Sequence, residues 1–375
     1  MPEFDFSISM TNCYHNAVVV LADGRHFFGR SLGNRTDSVG EVCFITGLTG
    51  YQYTITDPSF ADQIVTFTFP HIGNVGINDK DFECSRVLAK GIIVREMSCA
   101  SHVSSKTDLE SWIKANGLTG ISGVDTRALT MHLREHGTQP GIVHHFENRN
   151  TVDLLALQHI ARAYTAKTLA TALPHLADHQ VSTRGAEVCV IDLGAKQGIL
   201  NALTRMGCAV SVVAGIDDFA TRVLSLNPKG IVISNGPGDP SDLESHVLTQ
   251  LRVLLDSGIP TLGICLGHQL LALALGAKTI KMHHGHRGSN HPVYNIETGT
   301  VEVTSQNHGY AVDGQTLPAN VVVTHKSLFD DTIEGIKLTD YPVRSVQYHP
   351  EGCPGPQDSH YIFQDFANLI NCGLA

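Results

Sequence analysis

One cysteine lies in a glycine-flanked motif, Gly-Ile-Cys-Leu-Gly-His-Gln, at residues 263–269. An apolar segment ends just before the motif and a leucine- and alanine-rich segment follows it, a pattern that predicts strand, sharp turn and helix. Gly263 and Gly267 suit that turn, because a nucleophile on a tight corner leaves no room for neighbouring Cβ atoms. The helix N-terminus would favour the negative charge of a thiolate. Cys265 is therefore predicted to be an activated nucleophile, the alternative being a small buried residue at a crossover.

A candidate base lies near the end of the chain, in Gln-Tyr-His-Pro-Glu at residues 347–351. In an extended backbone, residues two apart point to the same side. Glu351 could therefore hold His349 in the tautomer that accepts a proton from Cys265. The chain has 21 histidines, so an ordinary structural histidine is the alternative, and the His-x-Glu spacing alone is a weak signal.

Backbone donors for an oxyanion are expected in the loop Asn-Gly-Pro-Gly-Asp-Pro at residues 235–240. Pro237 has no N–H, so the donor from this loop would be Gly236 or Gly238. The N–H of Leu266, directly after the nucleophile, would be the second donor. A phosphate-binding loop is a competing interpretation, but neither the third glycine of a dinucleotide motif nor a Walker A sequence occurs. A plain turn is the remaining alternative.

The elements that must position these residues change in kind along the chain. Residues 1–150 contain strand-like segments, including a hairpin over 17–28, and a helix predicted at 126–136. Residues 151–185 have helical patterning and are predicted to connect two domains. Short apolar strands then alternate with helical segments over residues 186–375, which predicts an α/β fold with a doubly wound, mostly parallel sheet. In such sheets the site lies beyond the carboxyl ends of the strands, where the glycine loop and the cysteine both fall.

Composition excludes several classes of protein. The 375 residues suffice for two domains, and a net charge of −10 without any Lys/Arg-rich run gives no basis for nucleic-acid binding. No apolar run is long enough to cross a membrane, and the acidic start lacks the basic segment of a signal peptide. The nine cysteines include no Cys-x-x-Cys pair, which argues against a disulfide framework or a zinc ribbon. We expect a soluble, cytoplasmic enzyme or subunit.

Two other features of the sequence could be functional sites, a group of histidines and a second cysteine. Four histidines lie close together in the second half: His283, His284, His286 and His291. Their spacing fits no structural zinc pattern and Arg287 interrupts it, so no metal is predicted. Cys353 lies near His349 in sequence, but in a glycine- and proline-rich loop with no helix start to stabilise a thiolate. It is predicted to be a bystander.

The three motifs that contain the cysteine, the glycine loop and the His-x-Glu pair resemble, in this order, the class I (triad) glutamine amidotransferases. The rest of the chain narrows the resemblance to the small chain of carbamoyl-phosphate synthetase, over about residues 15 to 370. The segments similar to that family are Gly-Glu-Val at 40–42, Thr-Gly-Tyr-Gln at 49–52, Thr-Asp-Pro-Ser-Phe at 56–60, Pro-His-Ile-Gly-Asn at 70–74, Val-Asp-Thr-Arg at 124–127, Asp-Leu-Gly-Ala-Lys at 192–196, Gly-Ser-Asn-His-Pro at 288–292 and Ser-Gln-Asn-His-Gly-Tyr at 305–310.

The resemblance implies a glutaminase in which Cys265 is the nucleophile, His349 the base and Glu351 the third member of the triad. L-Glutamine would be hydrolysed through a glutamyl thioester, and the ammonia would pass to a separate large subunit in a heterodimer. That subunit would make carbamoyl phosphate from bicarbonate and ATP, for arginine and pyrimidine biosynthesis. No cofactor is implied in this chain; ATP and a divalent metal would be bound by the partner. The implied glutamine contacts are Ser59, Gly236, Gly238, Leu266, Gln269, Asn307, Gly309 and Tyr310.

The resemblance also implies an N-terminal mixed β/α small-subunit domain and a C-terminal doubly wound, mostly parallel-sheet amidotransferase domain. Ser59 is the one implied contact in the first domain, so glutamine is expected at the interface between domains. A turn residue after Asp57 and Pro58 is the alternative for Ser59. Gln269 would lie one turn into the helix that follows the nucleophile.

Two other functions fit part of the pattern. A different hydrolase with the same elbow, such as a γ-glutamyl hydrolase or a cysteine peptidase, would not need the first domain. A non-catalytic docking subunit would not need an intact cysteine, histidine and glutamate. Met10 is an alternative start, because roughly the first fifteen residues lie outside the resemblance.

Overall fold

The computed structural model describes residues 15–165, 177–243 and 245–372. Met10 and residues 166–176 of the predicted connection lie outside the described residues. Within the described parts, the first half forms a closed barrel and the second half forms a ten-stranded sheet. None of the helices in these parts has the length and apolar character needed to cross a membrane.

The strands of the first half are β1 Ala17–Leu21, β2 His26–Gly33, β3 Ser38–Ile45, β4 Gln63–Phe67, β5 His71–Ile72, β6 Gly91–Ile93, β7 Glu96–Met97, β8 Thr119–Ser122 and β9 Gln139–His145. The strands of the second half are β10 His179–Ser182, β11 Glu187–Asp192, β12 Ala209–Ala214, β13 Gly230–Ile233, β14 Thr261–Ile264, β15 Thr279–Asn295, β16 Thr300–Val312, β17 Val321–Ser327, β18 Ile333–Leu338 and β19 Val343–Val346. The helices are α1 Tyr51–Thr56, α2 Leu109–Ala115, α3 Thr126–His136, α4 Leu154–Arg162, α5 Gln197–Arg205, α6 Phe219–Ser225, α7 Ser245–Asp256, α8 Leu266–Ala274 and α9 Tyr361–Cys372.

The barrel closes in the order β1-β2-β8-β6-β4-β3-β9. Both faces of β1 are buried because its alternate residues have different partners. Ala17, Val19 and Leu21 lie in the apolar cluster of the barrel, whereas Val18 and Val20 pack under α4. The predicted hairpin and the helix at 126–136 are confirmed. Helix α4 lies in the segment predicted to connect the two domains. Because Val18 and Val20 pack under it, this helix is packed on the barrel.

The second sheet has the order β10-β12-β11-β13-β14-β19-β18-β17-β15-β16. Its strands β12, β11, β13, β14 and β19 are parallel, as the alternation of strands and helices predicts. Beyond β19 the sheet continues as an antiparallel arm that the apolar pattern did not predict. The long strands of that arm carry many polar residues, and the β15–β16 pair shifts register twice, so they lack a regular alternation.

The barrel contacts the second half of the chain through polar groups. The backbone N–H of Thr46 donates to the Arg287 carbonyl over 3.1 Å. Asn307 Nδ2 donates to Asp57 Oδ2 over 3.1 Å. The carboxyl ends of the parallel strands, where the predicted nucleophile and glycine loop lie, are thereby placed against barrel residues.

Candidate active site

Cys265 lies at the sharp turn between β14 and α8 that the sequence predicts. Its backbone angles are φ 54° and ψ −104°, outside the usual regions for a residue with a side chain. A Cβ atom on Gly267 would lie 2.2 Å from the Ile233 carbonyl oxygen, and one on Gly263 would lie 2.6 Å from a Leu271 methyl group. Only glycine fits at either position, so the flanking residues make the strained corner sterically possible.

His349 and Glu351 form a buried pair next to this corner. His349 Nδ1 lies 2.7 Å from Glu351 Oε1, and both side chains are at most 1% exposed. Burial opposes the charged imidazole, but Glu351 and the nearby Cys265 outweigh it and raise the pKa of His349 to about 10. Its Nε2 is buried and has no hydrogen-bond partner among the described residues. The ring therefore has one nitrogen fixed by a carboxylate and the other available for proton transfer.

A buried lysine, which sequence reasoning did not assign to the site, completes the charge balance. Lys196 Nζ lies 2.9 Å from Glu351 Oε1 and 3.2 Å from Glu83 Oε1, and it donates to the Cys353 carbonyl over 3.1 Å. Burial alone would raise the pKa of Glu351, but Lys196 and His349 together lower it to about 2. Glu351 thus stays ionised and can orient the imidazole. The only sequence signal for Lys196 was its place in the family-like segment at 192–196.

The predicted glycine loop borders the same cleft as the cysteine. A Cβ on Gly236 would lie 2.1 Å from the Leu193 carbonyl oxygen, and Gly238 has a φ of 96°. Leu266 differs from the other predicted contacts, because its side chain lies in the apolar core and only its backbone could serve a ligand. The cleft has about 830 Å³ of empty space, including its mouth. The predicted residues that line it with Cys265 are Ser59, Gly236, Gly238, Gln269, Asn307, Gly309 and Tyr310.

Ser59 reaches the cleft from the barrel, and it also makes a turn. Its N–H donates to Asp57 Oδ1 over 2.8 Å, which is the turn interpretation. Its hydroxyl accepts a hydrogen bond from Asn235 Nδ2 over 2.9 Å, across the two halves of the chain. The turn therefore holds the hydroxyl against the glycine loop, and its contact with glutamine stays a prediction.

The mouth of the cleft carries charged side chains that sequence reasoning missed. Lys281 Nζ lies 2.9 Å from Glu41 Oε1, and Arg287, only 4% exposed, also lines the cleft. Glu41 belongs to the barrel and the two cations to the antiparallel arm. Apart from the place of Glu41 in the family-like segment at 40–42, the sequence gives no signal for such a meeting, because each residue alone has the pattern of an ordinary surface charge.

One cluster among the described residues has a donor set that could hold a metal. Ligand atoms of His286, His308 and Glu334 lie within 4.8 Å of one another. Both ring nitrogens of His286 already contact carboxylates, however, Nδ1 at 3.2 Å from Glu334 and Nε2 at 3.0 Å from Asp330. Burial opposes a charged His286, but these carboxylates raise its pKa to about 9. A protonated imidazole therefore supplies the positive charge of this cluster, and the absence of a metal stays a prediction.

Cys353 lies close to the site through its backbone. Its carbonyl oxygen accepts from Lys196, while its thiol donates to the Glu351 carbonyl over 3.4 Å. Burial raises the pKa of the Cys353 thiol to about 11. This thiol is therefore protonated near neutral pH and is a poor nucleophile there.

The strained cysteine on a strand–helix corner, the buried His–Glu pair and the parallel sheet together define a class-I glutamine amidotransferase. The family model for glutamine amidotransferase class-I matches residues 189–369. The model for the carbamoyl-phosphate synthase small chain, CPSase domain, matches residues 19–143.

Curated proteins match nearly the whole chain. The carbamoyl phosphate synthase small chain of Bradyrhizobium diazoefficiens is 45% identical over 376 residues, covering 94% of each chain. The small chain of Escherichia coli K12 is 45% identical over 375 residues, covering 95% of this chain and 97% of that one. That of Zymomonas mobilis is 45% identical, covering 94% and 99%. The chain belongs to the carbamoyl phosphate synthase small chain family.

Proposed function

We propose that this chain is the glutaminase subunit of a two-chain carbamoyl-phosphate synthetase, with Cys265 as its nucleophile. The observation that carries the proposal is the buried His349–Glu351 pair beside a strained cysteine in a cleft between the two halves. Membership of the small-chain family supports it. A free-standing hydrolase or peptidase would not explain a match to that family over both halves.

The first half-reaction forms a thioester. The thiolate of Cys265 attacks the side-chain amide carbon of glutamine, and the carbonyl oxygen becomes an oxyanion. The N–H of Leu266 and that of Gly236 or Gly238 stabilise this oxyanion, each donor contributing about 3 kcal/mol. The C–N bond then breaks as His349 Nε2 gives its proton to the leaving nitrogen. The products of this step are ammonia and a glutamyl thioester.

The second half-reaction regenerates the thiolate. Neutral His349 takes a proton from a water molecule, which attacks the thioester carbon. The C–S bond breaks, glutamate leaves and the imidazolium is restored, so that glutamine and water yield glutamate and ammonia. Glu351 keeps its charge throughout and acts by fixing the ring orientation and stabilising the imidazolium. Lys196 in turn keeps Glu351 ionised.

The glutamine-binding residues proposed are those named from the resemblance: Ser59, Gly236, Gly238, Leu266, Gln269, Asn307, Gly309 and Tyr310. Both ends of an amino-acid substrate need polar partners when they are removed from water. Gln269 is held for such a role, because its Nε2 donates to the Tyr310 carbonyl over 2.9 Å and to Gln347 Oε1 over 3.0 Å. Its Oε1 then remains the group that can accept from a substrate ammonium.

The ammonia would pass to a large subunit that makes carbamoyl phosphate from bicarbonate and ATP, for arginine and pyrimidine biosynthesis. We assign ATP and a divalent metal to that partner, in at least a heterodimer. The seven cysteines that are free among the described residues suit a reducing compartment, here the cytoplasm. We further propose domain limits of 1–150 and 186–375, with residues 151–185 between them.

The test is glutaminase turnover of the purified chain, alone and with a candidate large subunit supplied with ATP and bicarbonate. We expect slow hydrolysis alone and strong acceleration in the complex. Fast hydrolysis that the partner does not change would indicate a free-standing hydrolase. No turnover in either state would indicate a docking subunit.

A further inference from the structure

Glu83 belongs to the first half of the chain. Its buried carboxylate contacts residues of the second half beside the proposed triad. It is only 2% exposed. Its Oε2 accepts the N–H of Gly198 over 2.9 Å, and its backbone carbonyl accepts the N–H of Gln197 over 3.0 Å. These are donors of the first turn of α5, a helix whose N-cap residue, Lys196, makes no side-chain capping bond. Glu83 therefore supplies the negative group that this helix start otherwise lacks.

The same carboxylate is one end of a row of charges that leads to the proposed base. Glu83 Oε1 lies 3.2 Å from Lys196 Nζ, which lies 2.9 Å from Glu351 Oε1. Glu351 Oε1 lies 2.7 Å from His349 Nδ1. Each of these side chains is at most 3% exposed, so water screens the row very little. One lysine is thus shared between a barrel carboxylate and the carboxylate that orients the histidine.

We propose that Glu83 is a positioning residue for glutamine hydrolysis, which couples the barrel to His349 by sharing Lys196 with Glu351. The inference rests on the proposed glutaminase function. While Glu83 is charged, Lys196 is held between two carboxylates. The negative charge of Glu83 then offsets part of the positive potential that Lys196 produces at Glu351 and the imidazole. When Glu83 is neutral, Lys196 moves towards Glu351, competes for its Oε1 and disfavours the imidazolium. The orientation and the basicity of His349 then both suffer.

The direction of the electrostatic effect follows from the charges around the two groups. Lys196 opposes the positive charge of His349 and lowers its pKa, whereas Glu351 raises it. Removing the Glu83 charge leaves Lys196 less compensated, so the pKa of His349 should fall. The alkaline limb of the pH profile, where the imidazolium loses its proton, should then move to lower pH.

Glu83 itself titrates within the range of the assay. Burial raises the pKa of Glu83 to about 7, Lys196 opposes this rise, and Glu351 and Asp57 add to it. The thiol of Cys353 and the phenol of Tyr53 also face this carboxylate, and both remain neutral near pH 7 because burial raises the pKa of each. Glu83 therefore becomes increasingly protonated as the pH falls through about 7. A Glu83→Gln variant should match the wild type at low pH and diverge above pH 7.

The experiment measures glutaminase kcat and KM from pH 5.5 to 11 for the wild type and E83Q, each in complex with the large subunit. We expect E83Q to lower kcat about tenfold at pH 8, with KM changed less than about twofold, and to move the alkaline limb down by about half a pH unit. The matched control is D79N, an acid-to-amide change nearby, because Asp79 is exposed and pairs only with exposed Lys106 among the described residues. D79N should match the wild type.

Ammonia-dependent synthesis should be equal in the wild type and in E83Q. An E83Q profile with the wild-type kcat and the wild-type alkaline limb would overturn the inference and leave Glu83 as a helix cap only. E83D, which keeps the charge but shortens the reach, should keep the wild-type limb and lower kcat about threefold. If E83Q does not fold, E83D decides alone, and an unchanged kcat would overturn the inference. A wild-type complex without glutaminase activity would instead refute the proposed function.

Discussion

The amidotransferase half and the barrel contribute to one site in different ways. Cys265, His349 and Glu351 all lie at or just beyond strand ends of the second sheet, within short motifs that can be read along the chain. Asp57, Ser59 and Glu83 come from one stretch of the barrel and reach the site only through the packing of the two halves. The first set has the groups that are proposed to make and break bonds. The second set supplies hydrogen bonds and charge that hold those groups.

The two sets also differ in whether their contacts lie within one half of the chain or between the two halves. Strain at the nucleophile and the His–Glu pair both arise from residues within the amidotransferase half. The Lys196 charge balance and the Asn235 contact exist only when the barrel is in place. Substitutions in the first set should therefore abolish the chemical step, and those in the second set should reduce it or alter substrate binding.

The largest effect is expected from Cys265→Ala, which removes the nucleophile. Glutamine-dependent synthesis in the complex should fall by more than about a thousandfold, because no other group can form the thioester. Ammonia-dependent synthesis should be unchanged, since it does not use this site. The measurement is carbamoyl phosphate formation with each nitrogen source, and Cys353→Ala is the matched cysteine control. Equal loss with both nitrogen sources would mean that Cys265 is a structural residue.

A loss of stability of the whole fold is expected from Lys196→Met, which leaves Glu83 and Glu351 buried without their shared cation. Breaking a buried ion pair in this way costs about 3–5 kcal/mol in the free energy of unfolding. The measurement is urea unfolding at pH 7.5. Lys106→Met is the control, because its pair with Asp79 is exposed and such pairs contribute under about 1 kcal/mol. Similar losses of unfolding free energy in the two variants would show that the buried Lys196 stabilises the fold no more than an exposed lysine does.

The sequence alone predicts the half of the site that short motifs encode. Gly263 and Gly267 indicate a corner that no side chain could share, and the structure confirms the steric reason. The parallel strands and the helix at 126–136 follow from regular apolar patterns, and they too are confirmed. These features depend on interactions between residues close in the chain, which a single sequence records.

The sequence does not predict the buried charges that support the His349–Glu351 pair. Lys196 and Glu83 are 113 residues apart in the numbering and meet because a barrel loop covers a helix start. Nothing in the local pattern of a lysine or a glutamate shows that it will be buried with an opposite charge. The antiparallel arm escaped prediction for a related reason, since its bulged, polar strands lack the alternation that marks a half-buried strand.

A pH-dependent change in stability should arise from His286, which lies in the antiparallel arm away from the row of charges. Its pKa is raised from 6.5 to about 9 by Asp330 and Glu334 against the effect of burial. The stabilisation is therefore fully present below about pH 6.5 and is lost as the pH rises through about 9. The raised pKa corresponds to about 3 kcal/mol.

The measurement compares the unfolding free energies of the wild type and His286→Gln between pH 6 and 10. The gap between them should shrink by up to about 3 kcal/mol as the pH rises. His284→Gln is the matched control, because burial lowers the pKa of His284 and its ionisation cannot stabilise the fold in this range. A gap that does not vary with pH would show that His286 contributes by packing. Neither variant should change glutaminase kcat, because neither His284 nor His286 lines the cleft.

The smallest effect is expected from Ser59→Ala, and it tests the contact between the two halves most directly. The substitution leaves Asn235 Nδ2 without the acceptor that now lies 2.9 Å away, and it removes a hydroxyl from the cleft. Loss of the hydrogen bond that this hydroxyl is proposed to make to glutamine costs about 1 kcal/mol, which corresponds to about a fivefold rise in the KM for glutamine. The kcat should stay within about twofold, because the thiol, the histidine and the row of charges are untouched.

Ser38→Ala is the matched control, since that hydroxyl bonds a barrel carbonyl away from the cleft. An unchanged KM would remove Ser59 from the glutamine site and leave it the turn residue that its bond to Asp57 already makes it. A fall in kcat without a change in KM would mean that the serine acts through the glycine loop on the oxyanion, so that the barrel supports the chemical step as well as binding.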